Sequence, residues 1–160
     1  DATIFRQNDK WWMFVNLRER EGASPLDELF LYYSEDLFSE NWTPHIKNPI
    51  VSDVKSARPA GRIFTYKGNI YRPSQNCQHI YGYGMKINHI VTLSETEYEE
   101  VCINDIEPLW ENKIIGTHTL TFANGLTIID GILPRMETPL SILGKIYILF
   151  FRTLHFILKS

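Results

Sequence analysis

The sequence predicts an all-β protein built from a repeated hairpin unit, and three observations predict it. A strand, tight turn and strand pattern occurs three times, the three copies are almost evenly spaced, and the chain is rich in residues that favour strands. It holds 4 Trp, 8 Tyr and 9 Phe in 160 residues, and aromatic side chains suit a pleated, half-buried surface. A hydrophobic fraction of 44% excludes a disordered chain, and the length suits about one domain of 100–200 residues.

The first hairpin is read from Ile4-Phe5, the polar Gln7-Asn8-Asp9-Lys10 and then Trp11-Trp12-Met13-Phe14-Val15. The second is Ile63-Phe64, Tyr66-Lys67-Gly68-Asn69 and Ile70-Tyr71; the third is Leu120-Thr121-Phe122, Ala123-Asn124-Gly125 and Leu126-Thr127-Ile128-Ile129. Short turns of this composition between β-rich runs are hairpin signals. Phe5 precedes Phe64 by 59 residues and Phe64 precedes Phe122 by 58. Two further landmarks keep the offset: Leu31-Tyr32-Tyr33 lies 58 residues before His89-Ile90-Val91, and Asn48-Pro49 lies 59 before Glu107-Pro108. Each unit therefore has room for about four strands, the content of one β-propeller blade. Propellers close with about 4–8 blades, so residues 1–133 are expected to form a partial propeller of about two and a half blades. Within the first hairpin, strand alternation sends the Trp11 and Trp12 rings to opposite faces, one between sheets and the other towards an edge or solvent.

Residues 134–160 differ in character. From Pro139 the tail is strongly apolar, and Ser141, Lys145, Arg152, His155 and Lys159 recur at steps of 4, 7, 3 and 4. On a helix these positions form one narrow polar stripe. The expectation is a C-terminal amphipathic α-helix, either lying in a membrane surface through residues 140–159 or packed on protein. Its uncharged stretches, such as Ile146 to Phe151, are far below the roughly 18–20 residues of a membrane span.

Composition narrows the partners. Sixteen Lys and Arg stand against 19 Asp and Glu, for a net charge of −3. No surplus of positive charge is available to neutralise phosphates, so nucleic acid is not expected. Cys77 and Cys102 lack CxxC spacing and indicate neither a zinc site nor a disulfide framework; two buried thiols are expected rather than a bridge. His45, His79 and His89 are too dispersed for a metal site, and no GxSxG, P-loop or dinucleotide fingerprint occurs, so no metal or cofactor is expected. Asn41-Trp42-Thr43 fits the glycosylation sequon. Glu95, Glu97, Glu99 and Glu100 read as a solvated face.

Several segments carry a resemblance. Asp1 to Phe5 with Lys10 to Phe14, Leu31-Tyr32-Tyr33-Ser34 with Asp36-Leu37, Trp42, and Pro44-His45 resemble one blade of the five-bladed propeller at the N-terminus of plant glucosamine inositolphosphorylceramide transferases and bacterial relatives. More specific are Asn48-Pro49-Ile50, Asp53, Ala57-Arg58-Pro59-Ala60-Gly61, Tyr71-Arg72-Pro73-Ser74-Gln75-Asn76-Cys77, Tyr81-Gly82 and Tyr98-Glu99-Glu100. The resemblance covers about residues 1–130 and extends, more distantly, to the furanosidase-like glycoside hydrolases of family 43. It implies a propeller module of a glycosyltransferase-like protein working on glycans or glycolipids.

In the hydrolases, acidic residues from successive blades meet in a central funnel. Asp1 falls where their modulator aspartate would sit and is the one candidate catalytic carboxylate. Arg58 falls near the expected general-acid glutamate. Hydrolysis needs two carboxyls, and an arginine stays charged and donates no proton at neutral pH. The chain thus carries no complete catalytic set, and the resemblance implies a binding or accessory role. A diverged furanosidase lacking its first blade and a pure interaction scaffold are the alternatives.

The candidate substrate-binding residues are Asp1, Arg58, Arg72, Gln75 and His118. Asp1, Arg58 and His118 each precede a hairpin and would line the funnel. Arg58 and Arg72, beside Gln75 and Asn76, either hold a carboxylate, phosphate or sugar hydroxyls bidentately, or Arg58 pairs with Asp53 or Asp1 to pin neighbouring blades. The expected partners are a sugar, glycan or glycolipid, with a missing domain or self-association completing the ring.

Overall fold

A computed structural model of the protein describes residues 1–18, 21–123 and 125–134, together with the backbone of residues 146–151. The described residues form three antiparallel sheets. In the first, β1 (Ala2–Gln7), β2 (Lys10–Val15), β3 (Glu28–Ser34) and β4 (Thr43–Pro44) lie side by side, and β5 (Val51–Ser52) also pairs with β3. The second runs in sequence order through β6 (Phe64–Tyr66), β7 (Asn69–Asn76), β8 (Gly84–Leu93) and β9 (Tyr98–Ile106). The third is β10 (Leu120–Ala123), β11 (Leu126–Ile132) and β12 (Ile146–Phe151).

The hairpins form because their turns supply the backbone that tight connections need. Gln7 pairs with Lys10 and Tyr66 with Asn69, leaving two-residue loops. Asn8, Asp9, Lys67 and Gly68 all have positive φ, as the twist-compatible primed turns demand at both central positions.

Alternation along the strands creates two cores. Trp12, Phe14, Leu29 and Leu31 of the first sheet pack with Ile63 and Ile90 of the second sheet region. On the other face of the second sheet, Phe64, Tyr71, Met85 and Ile87 pack with Leu120 and Ile129 of the third. Adjacent residues such as Ile70 and Tyr71 serve opposite cores, as a period of two requires. Trp12 is buried beside Tyr33, whereas Trp11 is half-buried under the Arg6 guanidinium.

Side chains close the first unit. The Asn48 amide donates to the Leu31 carbonyl and accepts from the Leu31 N–H, both at 2.8 Å, in the manner of a neighbouring strand. The buried His45 ring bridges Ser94 O (3.0 Å) and the Lys47 N–H (3.1 Å), tying the first sheet to the β8–β9 turn. Burial, above all, lowers the His45 pKa from its ordinary value of 6.5. Below that value the unfolded chain takes up a proton that the folded chain resists, so stability falls with decreasing pH. His45→Gln is expected to flatten this dependence, measured as urea-unfolding free energy between pH 7 and 5; an unchanged slope would count against the latch.

The tail corrects the sequence reading. Residues 146–151, expected within the C-terminal α-helix, form β12 and pair along β11 from Thr127↔Phe151 to Ile132↔Ile146. Six consecutive β-branched, aromatic or leucyl residues have strand propensity, and pairing satisfies the open ladder of β11. The remainder of that expected helix, and most of the proposed membrane-facing stretch 140–159, lies outside the described residues. Among the described residues there is no helix long and apolar enough to cross a membrane. Cys77 is buried as expected but Cys102 is exposed, and both are free.

Candidate functional site

Three chain segments that lead into hairpins converge on one open cleft of about 400 Å³. Asp1 to Thr3 enter from the start of β1, Pro59 to Arg62 from the approach to β6, and His118 and Thr119 from the approach to β10. Gln75 on β7 and Tyr81 in the β7–β8 connection complete it. The last two approaches are held together by backbone: Leu120 N–H donates to Ala60 O at 2.7 Å.

The side chains are fixed by one another. Arg58 lies behind the wall, its Nη2 2.8 Å from Asp1 Oδ2, its Nη1 donating to Pro25 O at 3.2 Å, and its guanidinium 5.1 Å from the Tyr81 ring centre. Gln75 Nε2 donates to Asp1 Oδ2 (3.3 Å) and Pro59 O (2.9 Å). The His118 Nδ1 faces Asp130 Oδ2 in an ion-pair contact, and the His118 ring meets Tyr81 edge-on at 5.7 Å. Asp130 is itself anchored on β11: its Oδ1 accepts the N–H groups of His118 (2.9 Å) and Thr119 (2.8 Å). A carboxylate on one imidazole nitrogen fixes the ring and leaves the other nitrogen for a ligand. Gly82, with φ of +69°, lies so close that a Cβ there would stand 2.9 Å from the His118 Cβ.

Asp1, Gln75 and His118 of the expected set thus meet in this cleft, and Arg58 backs it through Asp1. Arg72 is elsewhere. Its fully buried guanidinium donates through Nε to Glu100 Oε2 (2.8 Å) and through Nη2 to Glu100 Oε1 (2.5 Å) and Ser56 O (2.8 Å). Ser56, Tyr98 and Glu100 border a second cleft of about 440 Å³, so the two arginines do not share a site. Burial opposes the Arg72 charge, yet Glu100 and Tyr98 hold its pKa above the ordinary arginine value. Glu100 is therefore an internal ion-pair partner, not part of a solvated acidic face; Glu95 and Glu97 do lie outside, paired with Lys10 and Lys47. Two cleft residues escaped the sequence reading: Tyr81, and Arg62, which is exposed and makes no ion pair among the described residues. Tyr81-Gly82 stood within the resembling motifs and was the available signal for the first. Among the described residues no three His, Cys, Asp or Glu side chains are grouped to hold a metal.

The fold and cleft define an all-β module with a polar, aromatic-edged recess. Residues 1–113 match the family model described as glucosamine inositolphosphorylceramide transferase 1, N-terminal, and the chain belongs to that family. It is 36% identical over 106 residues to glucosamine inositolphosphorylceramide transferase 1 of Oryza sativa subsp. japonica, covering 65% of this chain and 14% of that protein. The protein of the same name from Arabidopsis thaliana is 36% identical over 103 residues, covering 63% of this chain and 13% of its own length. The chain therefore spans about one seventh of the curated relatives it matches.

Proposed function

We propose that the chain is part of a β-propeller attached to a glycosyltransferase-like protein, and that its three-segment cleft binds the sugar or glycolipid headgroup on which such a protein works. The role is binding or accessory rather than catalysis. The observation that carries this reading is the convergence of Asp1, Gln75, Tyr81 and His118 on one cleft. Hydrogen-bonding groups beside an aromatic ring suit a hydroxyl-rich ligand with one apolar face. The cleft carboxylates are occupied: Asp1 by Arg58 and Gln75, Asp130 by His118 and two backbone amides. Glycoside hydrolysis calls for two carboxyls free to act on the bond, which favours binding.

The propeller reading is supported by sheets that stack face on face at the repeat spacing. The face of the second sheet covered by the first carries Ile63, Ile70, Ile90, Leu93 and Tyr98. The matching face of the first sheet carries Ile4, Met13 and Tyr32 in one cross-strand row, with Ile4 42% exposed. A further sheet of the same kind would cover it.

The names of the relatives supply probes. Calorimetric titration of the chain with glucosamine and with myo-inositol is expected to show binding. Gln75→Ala, which removes the donor that fixes Asp1 Oδ2 and Pro59 O, and Tyr81→Ala, which removes the ring at the cleft edge, should each weaken it about five- to tenfold, the effect of one hydrogen bond or stacking contact. Unaltered affinity in both variants would sink the site assignment.

A further inference from the structure

We propose that the second cleft, of about 440 Å³, receives a primary ammonium group on an aliphatic stem, the chemistry of a lysine side chain or of a free diamine. The site begins with a fixed acceptor. Asn88 on β8 is only 2% exposed, and its Nδ2 donates to Arg72 O at 3.1 Å and to Ser74 Oγ at 2.8 Å. A main-chain carbonyl can only accept, so the amide nitrogen is turned towards β7 and both its N–H groups are spent. Asn88 Oδ1 is left without a partner among the described residues, on a side chain that borders the cleft. A donor entering there meets an acceptor already oriented, which lowers the cost of binding.

The strands around Asn88 are shaped to the same end. Asn88 pairs with Cys102 and Ile90 with Glu100, and the register shifts between Ile87 and Asn88 and again between Ile90 and Thr92. Bulges therefore stand at both ends of residues 99–102, and bulges re-aim side chains. Successive residues of a regular strand face opposite ways, yet Glu99 and Glu100 both border the cleft. The charges do not balance. Lys86 Nζ lies 3.5 Å from Asp105 Oδ2, and Glu100 is held by Arg72 and the Tyr98 hydroxyl. Asp53 and Glu99 are exposed and have no ion pair among the described residues, which leaves two carboxylates around the cleft unmatched. Ile50 and Val51 supply its apolar side. An ammonium answers all three features: it is positive, it offers three N–H donors and no acceptor, and its methylene stem covers aliphatic surface. An anion would meet two unmatched carboxylates, and a neutral polyol would leave them so.

The experiment follows amide NMR shifts of the chain during titration with N-acetyl-lysine N-methylamide, with its norleucine analogue, which lacks the ammonium, and with 1,5-diaminopentane. The lysine probe is expected to shift residues 53–56, 86–88 and 99–102 together and to bind about tenfold more tightly than the norleucine probe, the value of one charge-assisted hydrogen bond. Asp53→Asn and Glu99→Gln, both at exposed positions, should each weaken it about threefold, with smaller losses at high salt. Trimethylation of the lysine nitrogen keeps the charge and removes every N–H, and a loss of about tenfold is expected from the Asn88 contact. Tighter binding of the lysine probe than of the diamine places the ammonium on a polypeptide partner, and the reverse order places it on a free polyamine; either order supports the inference. Equal affinity for the lysine and norleucine probes, undiminished binding of the trimethylated probe, or unchanged affinity in both variants overturns it. So does the absence of saturable shifts with both amines.

Discussion

Arg72→Met is expected to destabilise the chain by about 3–5 kcal/mol, the cost of breaking a buried ion pair from one side. The residue is 0% exposed and links three elements. From β7 it reaches Glu100 on β9 and the Ser56 carbonyl, while its own carbonyl accepts from Asn88 on β8 at 3.1 Å. Methionine fills much of the volume but leaves the Glu100 carboxylate, 11% exposed, without its cation. Arg72→Lys is not a rescue, since a point charge cannot reproduce the two-pronged contact. The double variant Arg72→Met, Glu100→Leu should recover most of the loss, because an apolar pair of similar volume tolerates the site. Urea unfolding measures both; a loss below about 1 kcal/mol in the single variant would contradict a buried, mutually dependent pair. The same cluster has an alkaline limit. Burial, chiefly, raises the Tyr98 phenol well above its ordinary pKa of 10.0, and its hydroxyl donates to Glu100 Oε2 at 2.5 Å. Above pH 10.0 the unfolded chain releases a proton that the folded chain keeps, so stability is intact below that pH and declines above it. Tyr98→Phe should remove that part of the decline.

Gly61→Ala is the second large effect, expected to cost about 3 kcal/mol or more from overpacking and backbone strain together. Gly61 has φ of +135°, and its Cβ would lie 2.0 Å from the Leu120 carbonyl oxygen, a backbone atom that no rotamer change can move. Relief requires the approaches to β6 and β10 to separate, which breaks the Leu120–Ala60 hydrogen bond and widens the cleft between Arg62 and His118. The variant should therefore lose ligand affinity as well as stability. Gly22→Ala is the contrast: φ is also positive, at +84°, but nothing among the described residues lies within 4 Å of its Cβ. Only the smaller backbone penalty applies there. Equal losses in the two variants, read from thermal unfolding, would contradict the close packing at Gly61.

Much of the fold was legible because turn chemistry and strand period are local. The Asn8-Asp9 and Lys67-Gly68 pairs announce two-residue turns, and the 58- and 59-residue offsets locate three hairpins where strands are found. Asp1 and His118 were legible because hairpin approaches repeat with the unit, whereas Gln75 came from the Tyr71 to Cys77 segment that carries the resemblance. Arg72 was not separated from Gln75, although the two stand three apart on one strand and so point to opposite faces. Glu100 hid in an acidic run because charge alone does not say which face of β9 is covered. Tyr81 and Arg62 lie in irregular connections, where no period reports direction. In the tail, an unbroken apolar run such as Ile146 to Phe151 fits helix and strand equally by pattern; the free edge of β11 decides it, and that edge is visible only in three dimensions.

The most direct test of the cleft is amide-resolved NMR of the chain during titration with myo-inositol. Shift changes are expected to gather at residues 59–62, 75, 81–82 and 117–119, three sequence-distant segments saturating with a single affinity. Changes confined to residues bordering the second cleft, such as Ser56, Lys86 and Glu99, or no saturable change at all, would contradict it.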